Sequence, residues 1–185
     1  MRIGFQGDYL SNSEEASQKF AEILHLKNVM FIPLISSQNV VSHLINKKID
    51  FGVMATKNIV AGEVIETKKA LIPDIELISS LDLPIHHCLF KKTKKSSIQY
   101  VASHIQALQQ TKGTRKKILK NIPEIECLDT ALAAKKLSNG EYPENYAVIC
   151  RENAGLFFNL TLVAKNIEDD PFNKTTFGFF KLKNS

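Results

Sequence analysis

The sequence predicts an α/β fold in two lobes, each a mainly parallel sheet flanked by helices, with a ligand cleft between them. Three observations carry this prediction. Short apolar runs alternate with amphipathic stretches of helical period. A Ser, Thr, Asn or Asp stands at each helix entrance. The same strand–turn–helix grammar also runs through twice, with the lysine-rich stretch from Lys91 to Lys95 between the two runs.

Arg2 to Gln6 alternates with an apolar bias and reads as the first strand, closed by a turn at Gly7. Ser13 is the expected N-cap of a helix whose first turn carries Glu14 and Glu15 and whose stripe is Ala16, Phe20, Ile23 and Leu24. Val29 to Ile35 reads as the second strand, and Ser36-Ser37 as the entrance to a helix bearing Val40, Val41, Leu44 and Ile45. Ile49 to Ala55 is a third strand running out through Thr56-Lys57-Asn58, followed by Gly62 and a short helix to Ala70. Glu76–Ile78 and Leu83–Phe90 are expected as two strands separated by Leu81-Asp82.

The second run begins with a strand from Ile98 to Ala102 and a helix opened by Ser103-His104 and broken at Gly113. A strand from Ile125 to Leu128 leads to a helix capped at Asp129-Thr130 and ended by Gly140. Tyr146 to Cys150 is a strand, and the following helix stops at Asn159, a residue tolerant of the left-handed conformation. Leu160 to Ala164 returns as a strand. Asn173-Lys174-Thr175-Thr176-Phe177 then leads into the apolar Gly178-Phe179-Phe180, placing hydroxyls at a strand mouth held by a buried Phe.

Composition narrows the function classes. The 185 residues are 44% apolar and 23% charged, sufficient for a substantial core. The longest apolar run, from Val29 to Ile35, is broken by Pro33 and too short to span a bilayer. Cys88, Cys127 and Cys150 form no CxxC pair, so neither a zinc site nor a disulfide framework is expected, and buried thiols in the cytoplasm are. The net charge of +5 gathers at Lys91–Lys95 and Lys112–Lys120 without interleaved aromatics, which reads as a solvated basic face and not as a nucleic-acid surface. The chain has no Ser-His-Asp pattern, Walker loop or GxGxxG. His87 and His104 read as hydrogen-bonded structural histidines. Helix N-termini gathered at the mouth of an α/β fold favour a small anion.

Seven motifs then fall into one order. They are Phe5-Gln6-Gly7-Asp8-Tyr9 with Ser13-Glu14-Glu15-Ala16; Gly52-Val53 through Asn58 and Gly62; Leu83-Pro84-Ile85-His86-His87; Ser103-His104-Ile105-Gln106-Ala107-Leu108; Thr130-Ala131 with Ala133-Ala134; Ala147-Val148-Ile149 to Asn159-Leu160; and Asn173-Lys174-Thr175-Thr176-Phe177. In this order they resemble the catalytic domain of prephenate dehydratases over nearly the full chain. The resemblance implies a fold like periplasmic binding proteins of type II, with lobe 1 formed by 1–80 plus 165–185 and lobe 2 by 81–164. It implies a lyase that removes carbon dioxide and hydroxide from prephenate to give phenylpyruvate, on the route to phenylalanine. No metal or organic cofactor is implied, since aromatisation drives the reaction.

By position, the resemblance makes Thr175 the catalytic hydroxyl beside the departing hydroxyl. Asn58, Ser13, Ser103, Gln106, Thr130, Lys57, Thr176 and Phe177 become substrate contacts, and Ser13, Ser103 and Thr130 double as helix caps. The expected partner is a small anionic substrate such as prephenate, with no nucleic acid and no membrane, and homodimer formation is left open. Most family members carry an ACT domain after the catalytic part; this chain ends at Ser185, just past the last strand, so feedback by phenylalanine is not expected of it. Where the family has Arg, Glu and Ser, this chain has Thr176, Lys57 and Ile59. Those departures keep two alternatives open: a retasked binder of an amino acid or other small carboxylate, and a prephenate decarboxylase that does not aromatise the ring.

Overall fold

The computed structural model describes residues 1–183. In chain order the elements are β1 (Arg2–Phe5), α1 (Asn12–Ile23), β2 (Met30–Pro33), α2 (Ser37–Ile45), β3 (Phe51–Asn58), β4 (Gly62–Glu63), α3 (Ile65–Ala70), β5 (Ile75–Pro84), β6 (Cys88–Lys91), β7 (Tyr100–Ser103), α4 (Ile105–Gln110), α5 (Lys112–Leu119), β8 (Glu124–Glu126), α6 (Thr130–Asn139), β9 (Tyr146–Cys150), α7 (Glu152–Phe157), β10 (Thr161–Ala164) and β11 (Lys174–Leu182). They form two compact units, one of Met1–Ile85 with Lys174–Ser185, the other of His86–Asn173. These limits differ from 80/81 and 164/165. The segment after β10 belongs with the second unit, where Ile167 packs in the core and Glu168 accepts the His87 N–H at 2.9 Å.

The sheet of the first unit has the order β2-β1-β3-β11-β5, with β4 on β3. β1 is parallel to β2 and β3, whereas β11 runs antiparallel to both β3 and β5. Alternation along β11 serves both faces of the sheet. Phe177 and Phe179 join Ile3, Phe5, Phe20 and Val53 under α1, while Phe180 joins Val40, Val41, Leu44 and Met54 under α2. Gly52 lets α2 lie close: a Cβ there would stand 2.5 Å from Val40 Cγ1.

The sheet of the second unit has the order β10-β6-β9-β7-β8. β7 is parallel to β8 and β9, and β6 is antiparallel to β9 and β10. Leu89, Val101, Leu108, Ala147 and Ile149 form its core. Gly155 of α7 lies against the Phe90 ring, where a Cβ would meet ring carbons at 2.3 Å.

Local expectations are corrected at several points. Each sheet is mainly parallel but carries an inserted antiparallel strand: β11, the last of the chain, in the first unit, and β6, the first of its unit, in the second. Glu76–Ile78 and Leu83–Phe90 are not separate strands around Leu81-Asp82. β5 runs unbroken because β11 pairs with it from Ile75 to Pro84, and those ladder bonds outweigh a weak local turn signal. The second strand stops at Pro33 rather than Ile35, since Ile35 has φ +64. The N-cap of α1 is Ser11, not Ser13; at the entrances expected at Ser103-His104 and Asp129-Thr130, the capping residues are His104 and Asp129, not Ser103 and Thr130. Asn159, with φ +54, does follow α7 as expected.

Candidate functional site

Parallel β1, β2 and β3 bring their C-terminal ends to one edge of the first unit's sheet. Antiparallel β11 begins at that edge, and β5 ends there. One cross-strand row consists of Leu83, Thr175, Asn58 and Gly62. Asn58 is 1% exposed and fully engaged. Its Nδ2 donates to the Lys174 carbonyl at 3.0 Å and to Thr175 Oγ1 at 2.9 Å; its Oδ1 accepts the Val60 and Ala61 N–H groups, both at 2.9 Å. One amide thus ties the turn leaving β3 to the start of β11. The Thr175 hydroxyl accepts from Asn58, and among the described residues its own proton has no acceptor.

The next row is Asp82, Thr176, Lys57 and Glu63. The pleat turns these residues to the opposite face from Thr175 and Asn58. Lys174 Nζ and the Thr176 hydroxyl donate to the two Asp82 oxygens at 2.7 and 2.6 Å, and together they hold that carboxyl below the usual carboxylate range. Lys57 is exposed. Lys57 and Thr176, expected beside Thr175 as substrate contacts, therefore belong to a surface row of alternating charge. Phe177, also expected at the substrate, is 2% exposed and packs in the core, where it anchors β11. Ser13 lies in the first turn of α1, where the Ser11 hydroxyl accepts Glu14 N–H and provides the cap. The Ser13 hydroxyl makes no bond among the described residues.

The second unit repeats the arrangement: parallel β7, β8 and β9 end at one edge, where β6 begins. Ser103 is fully buried and its hydroxyl donates to the Ile149 carbonyl at 2.6 Å, so it bridges strands instead of capping a helix. His104 caps α4, its Nδ1 accepting the Gln106 N–H at 3.3 Å. Gln106 and Thr130 are half-buried in the first turns of α4 and α6. Asp129 Oδ1 caps α6, accepting the Ala131 and Leu132 N–H groups at 2.7 and 3.0 Å.

A buried polar group at this edge escaped sequence reasoning. His87 Nε2 lies 2.8 Å from Gln110 Oε1, and Asn173 Nδ2 donates to the same oxygen at 3.0 Å. A shared acceptor assigns the proton to Nε2. Burial pushes His87 well below its ordinary pKa, so the ring is neutral. Glu168 accepts from the His87 backbone and pairs with His86 Nδ1 at 2.8 Å. His87 and Glu168 lie 81 positions apart in the chain, and no local pattern announces such a contact. His87 was legible as structural; Gln110, Glu168 and Asn173 carried no signal.

Among the described residues, no group of three or more His, Cys, Asp or Glu is arranged to hold a metal ion. Among the same residues, no helix is long and apolar enough to cross a membrane. Cys88, Cys127 and Cys150 are free thiols, the first and third buried.

Two α/β units with mixed sheets, joined by two crossings of the chain, define the periplasmic-binding-protein-like fold class. Within that class the chain belongs to the prephenate dehydratase family, whose sequence profile matches residues 3–185. The bifunctional chorismate mutase/prephenate dehydratase of Stutzerimonas stutzeri is 29% identical over 180 residues, covering 96% of this chain and 47% of the relative. The prephenate dehydratase of Methanocaldococcus jannaschii is 34% identical over 128 residues, covering 68% of this chain and 46% of the relative. The chain thus spans about half the length of these curated relatives. Among solved structures, the prephenate dehydratase of Arthrobacter aurescens in complex with L-Phe superposes with a TM-score of 0.85 at 20% identity, covering all of this chain and 61% of that one.

Proposed function

We propose that the chain is a prephenate dehydratase that converts prephenate to phenylpyruvate, carbon dioxide and water. The observation that carries this reading is the Thr175 hydroxyl, 9% exposed at the sheet edge and fixed by Asn58, with its proton uncommitted among the described residues. In the reaction the bond between ring and carboxylate breaks, releasing carbon dioxide, and its electron pair enters the ring. The ring carbon–oxygen bond breaks as the ring becomes aromatic. The leaving oxygen takes up one proton and departs as water.

Thr175 donates a hydrogen bond to that oxygen as charge develops on it, and the proton is made good from solvent. The Asn58 amide, donating into Thr175 Oγ1, holds the hydroxyl in place and polarises its O–H bond. Ser13 supplies an unused hydroxyl in the first turn of α1, where the helix dipole favours a substrate carboxylate. The remaining catalytic effect is positioning, which this intramolecular fragmentation needs most.

The assay is incubation of purified protein with prephenate, with phenylpyruvate followed by absorbance and the products identified. Folded protein with no turnover above the acid-catalysed background sinks the reading. A non-aromatic dihydro product points to decarboxylation alone, and carboxylate binding without turnover points to a retasked binder.

A further inference from the structure

We propose that Ile35 is a specificity-determining residue of the first unit, held at the sheet edge to make an apolar contact with the carbon ring of the substrate. The inference rests on the dehydratase reading above. It starts from an oddity of the backbone. β1 and β2 run parallel up to the pair Phe5 and Pro33, and the Leu34 N–H still donates to the Phe5 carbonyl at 2.9 Å. One residue later the pattern reverses. Gly7 and Ile35 exchange both backbone bonds, at 2.9 and 3.2 Å, as an isolated antiparallel bridge.

The reversal is made by the tightest turn available. The Ser36 N–H donates to the Leu34 carbonyl at 2.7 Å, spanning a single residue, and that residue is Ile35 with φ +64. A three-residue turn with positive φ at its centre is the rare, strained form of γ-turn. A β-branched side chain is among the worst occupants for it. Across the bridge Gly7 also has positive φ, +91, but as a residue that adopts it freely. A Gly or Asn at position 35 would make the same turn with less strain.

The core does not account for isoleucine here. Leu34 is 8% exposed and packs with Val40, Val41 and Leu44 under α2, whereas Ile35 is 39% exposed. Strain of this kind persists where the side chain has work to do outside the core. Other exposed apolar side chains at the same edge agree with that: Tyr9, Ile59 and Val60, on the segments after β1 and β3, are 51%, 53% and 50% exposed. A sheet edge that carries the polar pair Asn58 and Thr175 along with exposed apolar side chains suits a carbon ring carrying polar substituents.

The test compares wild type with Ile35→Gly, Ile35→Asn and Ile35→Leu by thermal unfolding, prephenate kinetics and calorimetric binding of phenylpyruvate. Ile35→Gly is expected to unfold a few degrees higher as strain is relieved. Its KM for prephenate and its Kd for phenylpyruvate should nevertheless rise about tenfold, with kcat within about twofold. Ile35→Asn should weaken binding to the same extent, and Ile35→Leu should stay near wild type in KM. An active wild type whose KM and Kd are unchanged in Ile35→Gly overturns the inference alone, as does an unfolding temperature no higher than wild type. A wild-type chain that neither turns over prephenate nor binds phenylpyruvate overturns the dehydratase reading and this inference with it.

Discussion

The charges around Thr175 lie on the far side of the strand that presents it. Thr176 gives its hydroxyl to Asp82, and Lys57 stands beside it in the same exposed row. Replacing the family's Arg and Glu at these positions alters that surface and leaves the pairing of Asn58 with Thr175 intact. Thr176→Val is therefore expected to hold kcat/KM within about threefold of wild type, as surface substitutions away from a site do. Thr175→Ala should lower kcat by about 10²–10³, the usual consequence of removing one donor to developing oxyanion charge. It should cost only about 1 kcal/mol of stability in denaturant unfolding, because Asn58 Nδ2 keeps the Lys174 carbonyl. Thr175→Ser should restore most of the rate. Asn58→Ala is different in kind. It frees four bonds in a buried place and should lose about 2–4 kcal/mol of stability along with activity.

At the scale of the element, the start of β6 is held by a neutral histidine. Burial lowers the pKa of His87 in the folded chain below its ordinary value of 6.5. The unfolded chain therefore binds the extra proton first as pH falls. The stability this group contributes is present above about pH 6.5 and is lost as pH drops through the depressed folded value. Facing groups are Gln110, Glu168 and His86; protonating His87 would put a second donor into a site whose acceptors are already engaged. Urea unfolding between pH 7 and pH 5 should show this loss in wild type and a flatter dependence in His87→Gln. Equal slopes in the two proteins would remove His87 as the cause. The caps belong to the same scale. Asp129→Ala removes both N-terminal bonds of α6 and should cost about 1–2 kcal/mol, read as a shift of the denaturant midpoint at unchanged slope.

For the whole molecule, ligand binding and stability are linked. Phenylpyruvate at 100 times its Kd should stabilise the folded chain by about 2.7 kcal/mol, visible as several degrees in the unfolding temperature. Thr175→Ala should keep most of that shift, since a contact made in the transition state adds little to product binding. Loss of the shift in Thr175→Ala would make Thr175 a binding residue rather than a catalytic one. The chain enters the second unit at His86 and leaves it at Asn173, so β11 completes a sheet begun by strands more than a hundred residues earlier.

The sequence alone determined the α/β class, the two-unit plan and the position of Thr175 at a strand mouth. Each of these rests on local information: apolar period, capping residues, and hydroxyls next to an apolar run such as Phe177 to Phe180. It also carried the family, through motifs kept in order. Tertiary structure decided which of the named side chains share a face. Asn58 meets Thr175 across 117 positions and Thr176 meets Asp82 across 94, by strand registers that no local pattern encodes. Adjacent residues then point to opposite faces, so Thr175 turns inward while Thr176 turns out, and Phe177 goes to the core. Caps were decided for a similar reason: how a helix packs on the sheet sets where it starts, which moved the cap of α1 from Ser13 to Ser11 and chose His104 and Asp129 within the expected pairs Ser103-His104 and Asp129-Thr130.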